Sequence, residues 1–182
     1  MIQIDFEMEF YAPYLSATGN ASAGFDSSVD LVAPIRATAV KGAMRAVAAQ
    51  ILCLREDVIN QLFGSEEEPA AWRWLINEPT APVEAMTLHR VAIDDETMTA
   101  RADHLLRARA AKLPRVSFCV QRRGRSLDEE SLEREKVALT AAARGVHALG
   151  AQRTRGLGWV GITGGVDLSG QNLEKINEWR SK

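Results

Sequence analysis

Cysteine is almost missing from this chain: Cys53 and Cys119 are the two present in 182 residues, each alone within an apolar segment. Neither a Cys-x-x-Cys metal knuckle nor a disulfide framework can be built from them, and both read as reduced core residues. Histidine is equally sparse. His89, His104 and His147 stand at no metal-ligand spacing from one another, which argues for surface or partly buried roles and against a histidine-built metal centre. Long apolar runs are absent too, so no stretch has the length of a membrane span, and Met1–Phe10 lacks the basic and apolar zones of a secretory leader. The expected location is the cytoplasm, away from membranes. Net charge is also small, with 22 Lys and Arg against 24 Asp and Glu giving −2 at pH 7. That total does not mark a nucleic-acid binder, so such a role must come from the local distribution of charge.

The distribution is uneven. Residues 101–125 hold Arg101, Arg107, Arg109, Lys112, Arg115, Arg122, Arg123 and Arg125 against Asp103, whereas Glu56, Asp57, Glu66, Glu67 and Glu68 stand without a cation between residues 56 and 68. A hydrophobic content of 46% is enough for a real core, and the length suits one domain over residues 1–182. Ile2, Ile4, Phe6, Met8 and Phe10 alternate with polar residues, predicting a strand with one buried face. Small and polar residues 16–28 predict a loop. A helix follows over about residues 38–53 with Thr38 as N-cap, then a short one over residues 55–62 closed by Gly64. Strands are expected over residues 83–93, over 115–123 and from Leu157 through Ile162. Between the first two, residues 94–114 have the Ala, Leu and Arg content of a helix but no good cap, so a mobile projecting segment is an equal alternative. Ser126 and Glu129 have capping-box spacing and open a helix whose buried stripe is Leu132, Leu139, Val146 and Leu149, ended by Gly150. A short terminal helix is expected over residues 171–180. The order strand, helix, strand, strand, helix, strand predicts an α+β, ferredoxin-like fold, an antiparallel sheet with two helices on one face.

Two stretches carry candidate chemistry. In Thr38-Ala39-Val40-Lys41-Gly42-Ala43-Met44-Arg45, a buried stripe of Val40, Met44, Val47 and Ile51 leaves Lys41 and Arg45 one turn apart on another face, near the positive end of the helix dipole. A phosphate backbone suits that arrangement. Gly42 costs roughly 1 kcal/mol in a helix relative to Ala, which suggests that something approaches the backbone there. The second stretch is Gly150-Ala151-Gln152-Arg153-Thr154-Arg155-Gly156-Leu157-Gly158-Trp159-Val160-Gly161. Its Gly156, Gly158 and Gly161 spell G-x-G-x-x-G, but a dinucleotide site needs that motif to leave a strand and open a helix, the reverse of the order here. What remains is a glycine-rich loop whose backbone and two arginines can meet a polyanion. For both stretches the plain alternative is structural: a solvated helix face, and a tight turn that needs its glycines.

These segments together resemble the RAMP superfamily of CRISPR-Cas proteins, most of all the backbone subunits of type III effector complexes. The family's S-S-L-K-G-x-x-R helix motif is similar to Thr38–Arg45, its L-F-G to Leu62-Phe63-Gly64, and its C-terminal glycine-rich loop to Gly150–Gly158. Ile93–Ala100 with Leu106, Arg107 and Phe118 is similar to the segment from which such subunits project a thumb along RNA, here within residues 83–125. The resemblance implies a modified RRM-like sheet and binding of the guide RNA backbone by Thr38, Lys41, Gly42, Arg45, Arg107, Arg153, Arg155, Gly156 and Gly158. Gly24-Phe25-Asp26-Ser27-Ser28-Val29 is similar to the family loop with the target-cleaving aspartate, which makes Asp26 the implied catalytic residue of an endoribonuclease, aided by a divalent metal such as Mg, with Asp30 as a neighbouring competitor. Implied partners are guide CRISPR RNA, complementary target RNA, other Cas subunits and copies of the chain stacked head-to-tail. The chain departs from the pattern at Thr38 and Ala39, where the family has serines, at Arg36-Ala37, where it has proline and glycine, and in being short. Open alternatives are a non-catalytic RNA-binding or assembly subunit and a repeat-RNA processing ribonuclease. A small-molecule enzyme would need a convergent pocket of titratable residues, which the sequence does not offer.

Overall fold

The computed structural model describes residues 2–16, 24–113, 115–123 and 127–180. Strand β1 (Gln3–Phe10) realises the alternation of its sequence, burying Ile4, Phe6 and Met8 and turning Gln3, Asp5 and Glu7 outward. It pairs antiparallel with β6 (Arg115–Arg122) on one side and β7 (Val160–Gly164) on the other. The outer neighbour of β6 is β3 (Trp72–Ile76), giving a sheet of order β3-β6-β1-β7. Helices α1 (Ala37–Gln50) and α3 (Glu129–Arg144) pack together over it, with the shorter α2 (Glu56–Phe63) beside α1. This is the α+β ferredoxin-like arrangement, with two split β-α-β units.

One strand of that sheet differs from expectation. Its second member is β3, where Trp72 and Trp74 point inward around exposed Arg73. Residues 83–93 instead supply β4 (Glu84–Ile93), which forms a long antiparallel ribbon with β5 (Ala100–Lys112). The helix alternative for residues 94–114 is thereby excluded. Ala and Arg favour helices, but Ala108 and Ala110 alternate buried with exposed Arg107 and Arg109, and the cross-strand ladder outweighs local propensity. A short β2 (Ser27–Ser28) adds to β5 in parallel, giving a second sheet of order β2-β5-β4. The ribbon turns at Asp94, whose Oδ1 accepts the Glu96 and Thr97 N–H groups. After β7 come α4 (Gly170–Glu174) and a 3-10 turn at Asn177–Trp179, where one terminal helix was expected.

Helix boundaries differ as well. The N-cap of α1 is Arg36, with extended backbone and no side-chain cap, so Thr38 lies inside the first turn. Its buried stripe is Val40, Met44, Val47 and Ala48, while Ile51 ends the helix 57% exposed. Asp128 caps α3 by accepting the Ser131 N–H at 2.8 Å, which puts Glu129 at the first helical position rather than in a capping box. Ser126 and Arg125 lie outside the described residues. The helix ends at Gly145, not Gly150, and a Cβ at Gly145 would meet Val47 of α1; Val146 and Leu149 are buried but follow the helix. Cys119 is buried and its burial pushes the thiol pKa up, whereas Cys53 is only half-buried, at φ 53° in the turn after α1.

The core also encloses a charge. Glu135 of α3 is fully buried and accepts from Trp72 Nε1 (2.9 Å), Gln61 Nε2 (2.8 Å) and Arg122 Nε (2.9 Å), so one carboxylate joins α2, α3, β3 and β6. Such a group is tolerable only because its oxygens are satisfied.

Candidate nucleic-acid interface

The two cations of α1 share a helix face but have different neighbours. Lys41 is half-buried, its Nζ 5.6 Å from the centre of the Trp74 ring. Arg45 reaches the end of α2, where Nη1 donates to the Gly64 carbonyl and Nη2 to Asn60 Oδ1 at 2.8 Å. Gly64, at φ 78°, terminates α2 as expected, and a Cβ there would lie 2.7 Å from the Ala70 nitrogen. The Lys-Gly-x-x-Arg and Leu-Phe-Gly motifs are therefore physically joined, through Arg45. A groove runs between them, lined by Thr38, Lys41, Gly42 and Arg45 on one wall and by Gly64, Glu66 and Glu68 on the other. At Gly42 a Cβ would meet nothing within 4 Å beyond the backbone of its own helix, so packing against other described elements does not explain the glycine.

In the glycine-rich loop the residues divide into two kinds. Gly150 (φ 85°) and Gly158 (φ 67°) serve the fold: a Cβ would lie 2.4 Å from the Leu15 carbonyl oxygen in the first case and 1.8 Å from that of Leu149 in the second. Backbone bonds from Gly158 N to Pro13 O (2.8 Å) and from Ala151 N to Leu15 O (2.7 Å) hold the loop against the strand-end segment. Between these anchors, Arg153–Arg155 form one 3-10 turn that exposes both arginines and Thr154. It ends at Gly156, φ 80°, with open space where a Cβ would stand. The turn borders α1, since Arg153 and Thr154 line a second groove with Ala43, Ala46 and Gln50. Helix α1 thus has the Lys41 groove on one flank and the arginine turn on another.

Asp26 lies beside the other sheet, in the bend just before β2. Its N–H donates to the Arg107 carbonyl at 2.8 Å, and its Oδ2 accepts the Arg107 N–H at 2.7 Å. The carboxylate remains exposed. Arg107 folds its guanidinium over the Phe25 ring, 5.3 Å from ring centre to Cζ. Asp30 is different: its Oδ1 accepts the Val32 and Ala33 N–H groups, an Asx turn leading into α1. The nine expected RNA contacts therefore fall into three groups. Thr38, Lys41, Gly42 and Arg45 lie on α1, Arg153, Arg155, Gly156 and Gly158 in the adjoining loop, and Arg107 with Asp26 at the ribbon. Leu157 connects the last two, packing with Leu15, Ala108 and Ala110. Sequence reasoning missed Phe25, because nothing in its spacing signals a partner on β5.

The outer face of the main sheet has the opposite character. Asp5, Glu7 and Glu9 form a row on β1, and Arg115 answers it at one end, 3.4 Å from Glu7 and 3.3 Å from Glu9. The alternation of β1 already places these acids together. Exposed Tyr11 stands beside them, in a groove with Glu7, Glu9 and Arg115, but the row of carboxylates repels phosphates there. Among the described residues no group of three or more His, Cys, Asp or Glu side chains converges as a metal site.

Comparison with proteins of known structure places this architecture. No curated protein matches the chain. A chain in the cryo-EM structure of the type III-B Cmr-beta complex bound to cognate target RNA superposes with a TM-score of 0.68 at 11% identity, covering 90% of this chain and 97% of that one. A chain of the same assembly in its apo state superposes at 0.67, again with 11% identity and the same coverage. At that identity the likeness is one of fold. Sequence agrees: the family model described as RAMP superfamily matches residues 23–161, from the residues before β2 into β7, and on this match the chain belongs to the RAMP superfamily.

Proposed function

We propose that this chain is a type III-like effector subunit that binds the backbone of a guide RNA across α1 and the glycine-rich loop, and cleaves paired target RNA through Asp26. The observation that carries the binding half is the Arg153–Arg155 turn: two exposed guanidinium groups and an unobstructed Gly156 stand beside α1, on elements distant in sequence. Arginine forks suit phosphate oxygens, and a bare glycine lets a backbone approach closely. The acidic row on the sheet supports the same side by disfavouring the other. The shared fold with Cmr-beta chains, one seen in a complex with target RNA, supports the cellular setting, with other effector subunits as partners and β4–β5 as the thumb.

Cleavage is ascribed to the chain's own carboxylate. Asp26 accepts the proton of a target 2′-hydroxyl, the 2′-oxygen bonds in line to the adjacent phosphorus, and the bond to the 5′-oxygen breaks, that oxygen taking a proton from water. The products carry a cyclic 2′,3′-phosphate and a 5′-hydroxyl. No group of three or more His, Cys, Asp or Glu gathers around Asp26 among the described residues, and magnesium dependence is a variable of the assay. The test is purification from the native host, where discrete small RNAs should co-purify, followed by incubation with a labelled complementary target. Asp26→Asn keeps an acceptor for the Arg107 N–H but loses the base, so it should retain guide RNA and slow cleavage by about 10² to 10⁴. Absence of bound RNA rejects the binding role, and undiminished cleavage by Asp26→Asn moves the chemistry to another residue.

A further inference from the structure

The attachment of the Asp26 loop to β5 does more than fix a backbone. Phe25 is half-buried and contacts Arg107 from the residue preceding Asp26. Two hydrogen bonds join Asp26 to Arg107, β2 then pairs Ser27 with Ala108 and Ser28 with Arg109, and the Val29 N–H closes the seam on the Arg109 carbonyl at 3.0 Å. The main chain of Arg107 thus orients the carboxylate while its side chain lies on the neighbouring ring. The Arg107 guanidinium forms no ion pair with Asp26. A pair in contact would neutralise both groups. Held apart, the carboxylate can take a proton while the guanidinium meets the negative charge that grows on the phosphoryl oxygens as the 2′-oxygen attacks. An exposed arginine would otherwise sample many rotamers, and an aromatic face narrows that range.

We propose that Phe25 is a positioning residue, whose ring holds the Arg107 guanidinium where it clamps the scissile phosphate beside Asp26. The inference rests on the reading of Asp26 as the cleaving residue. No new bond is added to the reaction: the 2′-oxygen to phosphorus bond forms, the phosphorus to 5′-oxygen bond breaks, and the proton passes to Asp26 while Arg107 only stabilises charge.

The experiment uses the guide-loaded complex and single-turnover cleavage of a labelled target over a range of target concentrations. Phe25→Ala should cut the maximal rate about ten-fold, as displacement of a catalytic group does, while the half-saturating target concentration and the thermal midpoint stay at wild-type values. Phe25→Tyr, which keeps the aromatic face, should restore the rate. In an Arg107→Ala background, Phe25→Ala should add no further loss, because both changes remove the same clamp. Full-rate cleavage by Phe25→Ala alongside an inactive Asp26→Asn overturns the positioning role and leaves Asp26 in place. A loss that Phe25→Tyr fails to recover, or that comes with a lowered midpoint, overturns it as a packing effect. Cleavage that survives in Asp26→Asn overturns the reading beneath it.

Discussion

Arg45 shows how much one side chain's partners change its meaning. Spacing on a helix places it beside Lys41, but spacing cannot see Asn60 and Gly64, which lie on another element and claim its guanidinium. Arg45→Ala is therefore expected to lower stability by about 2 kcal/mol, the usual size for charge-assisted hydrogen bonds in a partly buried site, and Arg45→Lys should not recover it because an ammonium lacks the fork. Urea denaturation would measure both, and a wild-type midpoint in Arg45→Ala would show the bonds to be inconsequential. Arg153 and Arg155 predict the reverse. They are exposed, so replacing both by Ala should leave the thermal midpoint within a degree or so while weakening RNA binding and flattening its dependence on salt. An unchanged salt slope in the folded double variant would take the turn out of the interface. Asp26 and Gly156 were legible as a loop acid and a loop glycine; what the acid touches was not, because hydrogen-bond partners far along the chain leave no local signature.

Among the elements, those with a strict period were readable and those held by pairing were not. The β1 alternation and the α1 stripe follow from side-chain periodicity, since a buried face demands apolar residues at fixed intervals. Strand β5 is composed of helix formers and is extended only because β4 lies against it, which no window of its own sequence contains. Strand β3 was hidden for a different reason: five residues with two tryptophans are too few to reveal a period. In α3 the capping residue was displaced by two positions, from Ser126 to Asp128. That cap carries a pH prediction. Hydrogen bonds from the Ser131 backbone and side chain hold the Asp128 carboxyl below its ordinary value of 3.8, so the charged form is favoured in the folded helix. A depressed folded value means that the contribution is complete above pH of about 4 and is lost as pH falls through the folded value. Asp128→Asn, which keeps a capping oxygen and loses the charge, should lower the midpoint slightly at neutral pH, with the difference narrowing toward the wild type in acid. A difference that stays constant down to pH 2 would assign the effect to something other than the charge.

The whole molecule is built as two sheets that share a seam. One face of the main sheet is acidic, α1 and the arginine turn lie on elements away from it, and the segments that meet at Asp26 and Arg107 are 81 residues apart in sequence. That last separation has a consequence in time. Closing so long a loop costs entropy that grows with its length, and the reward is only a two-residue strand with a few hydrogen bonds. The Asp26 clasp therefore cannot nucleate anything; it must wait until β5 has been laid against β4 and Ala108 and Ala110 have found Leu15 and Leu157. Refolding followed by pulsed hydrogen exchange should show amides in the middle of α1 protected before those of Asp26 and Arg107, with simultaneous protection contradicting this order. During synthesis the same delay is imposed by the ribosome, since Asp26 emerges long before Arg107. A newly made chain would hold the α1 cations while its carboxylate still had nothing to orient it, and the arginine turn at residues 153–155 follows Arg107, so both halves of the proposed site are completed late.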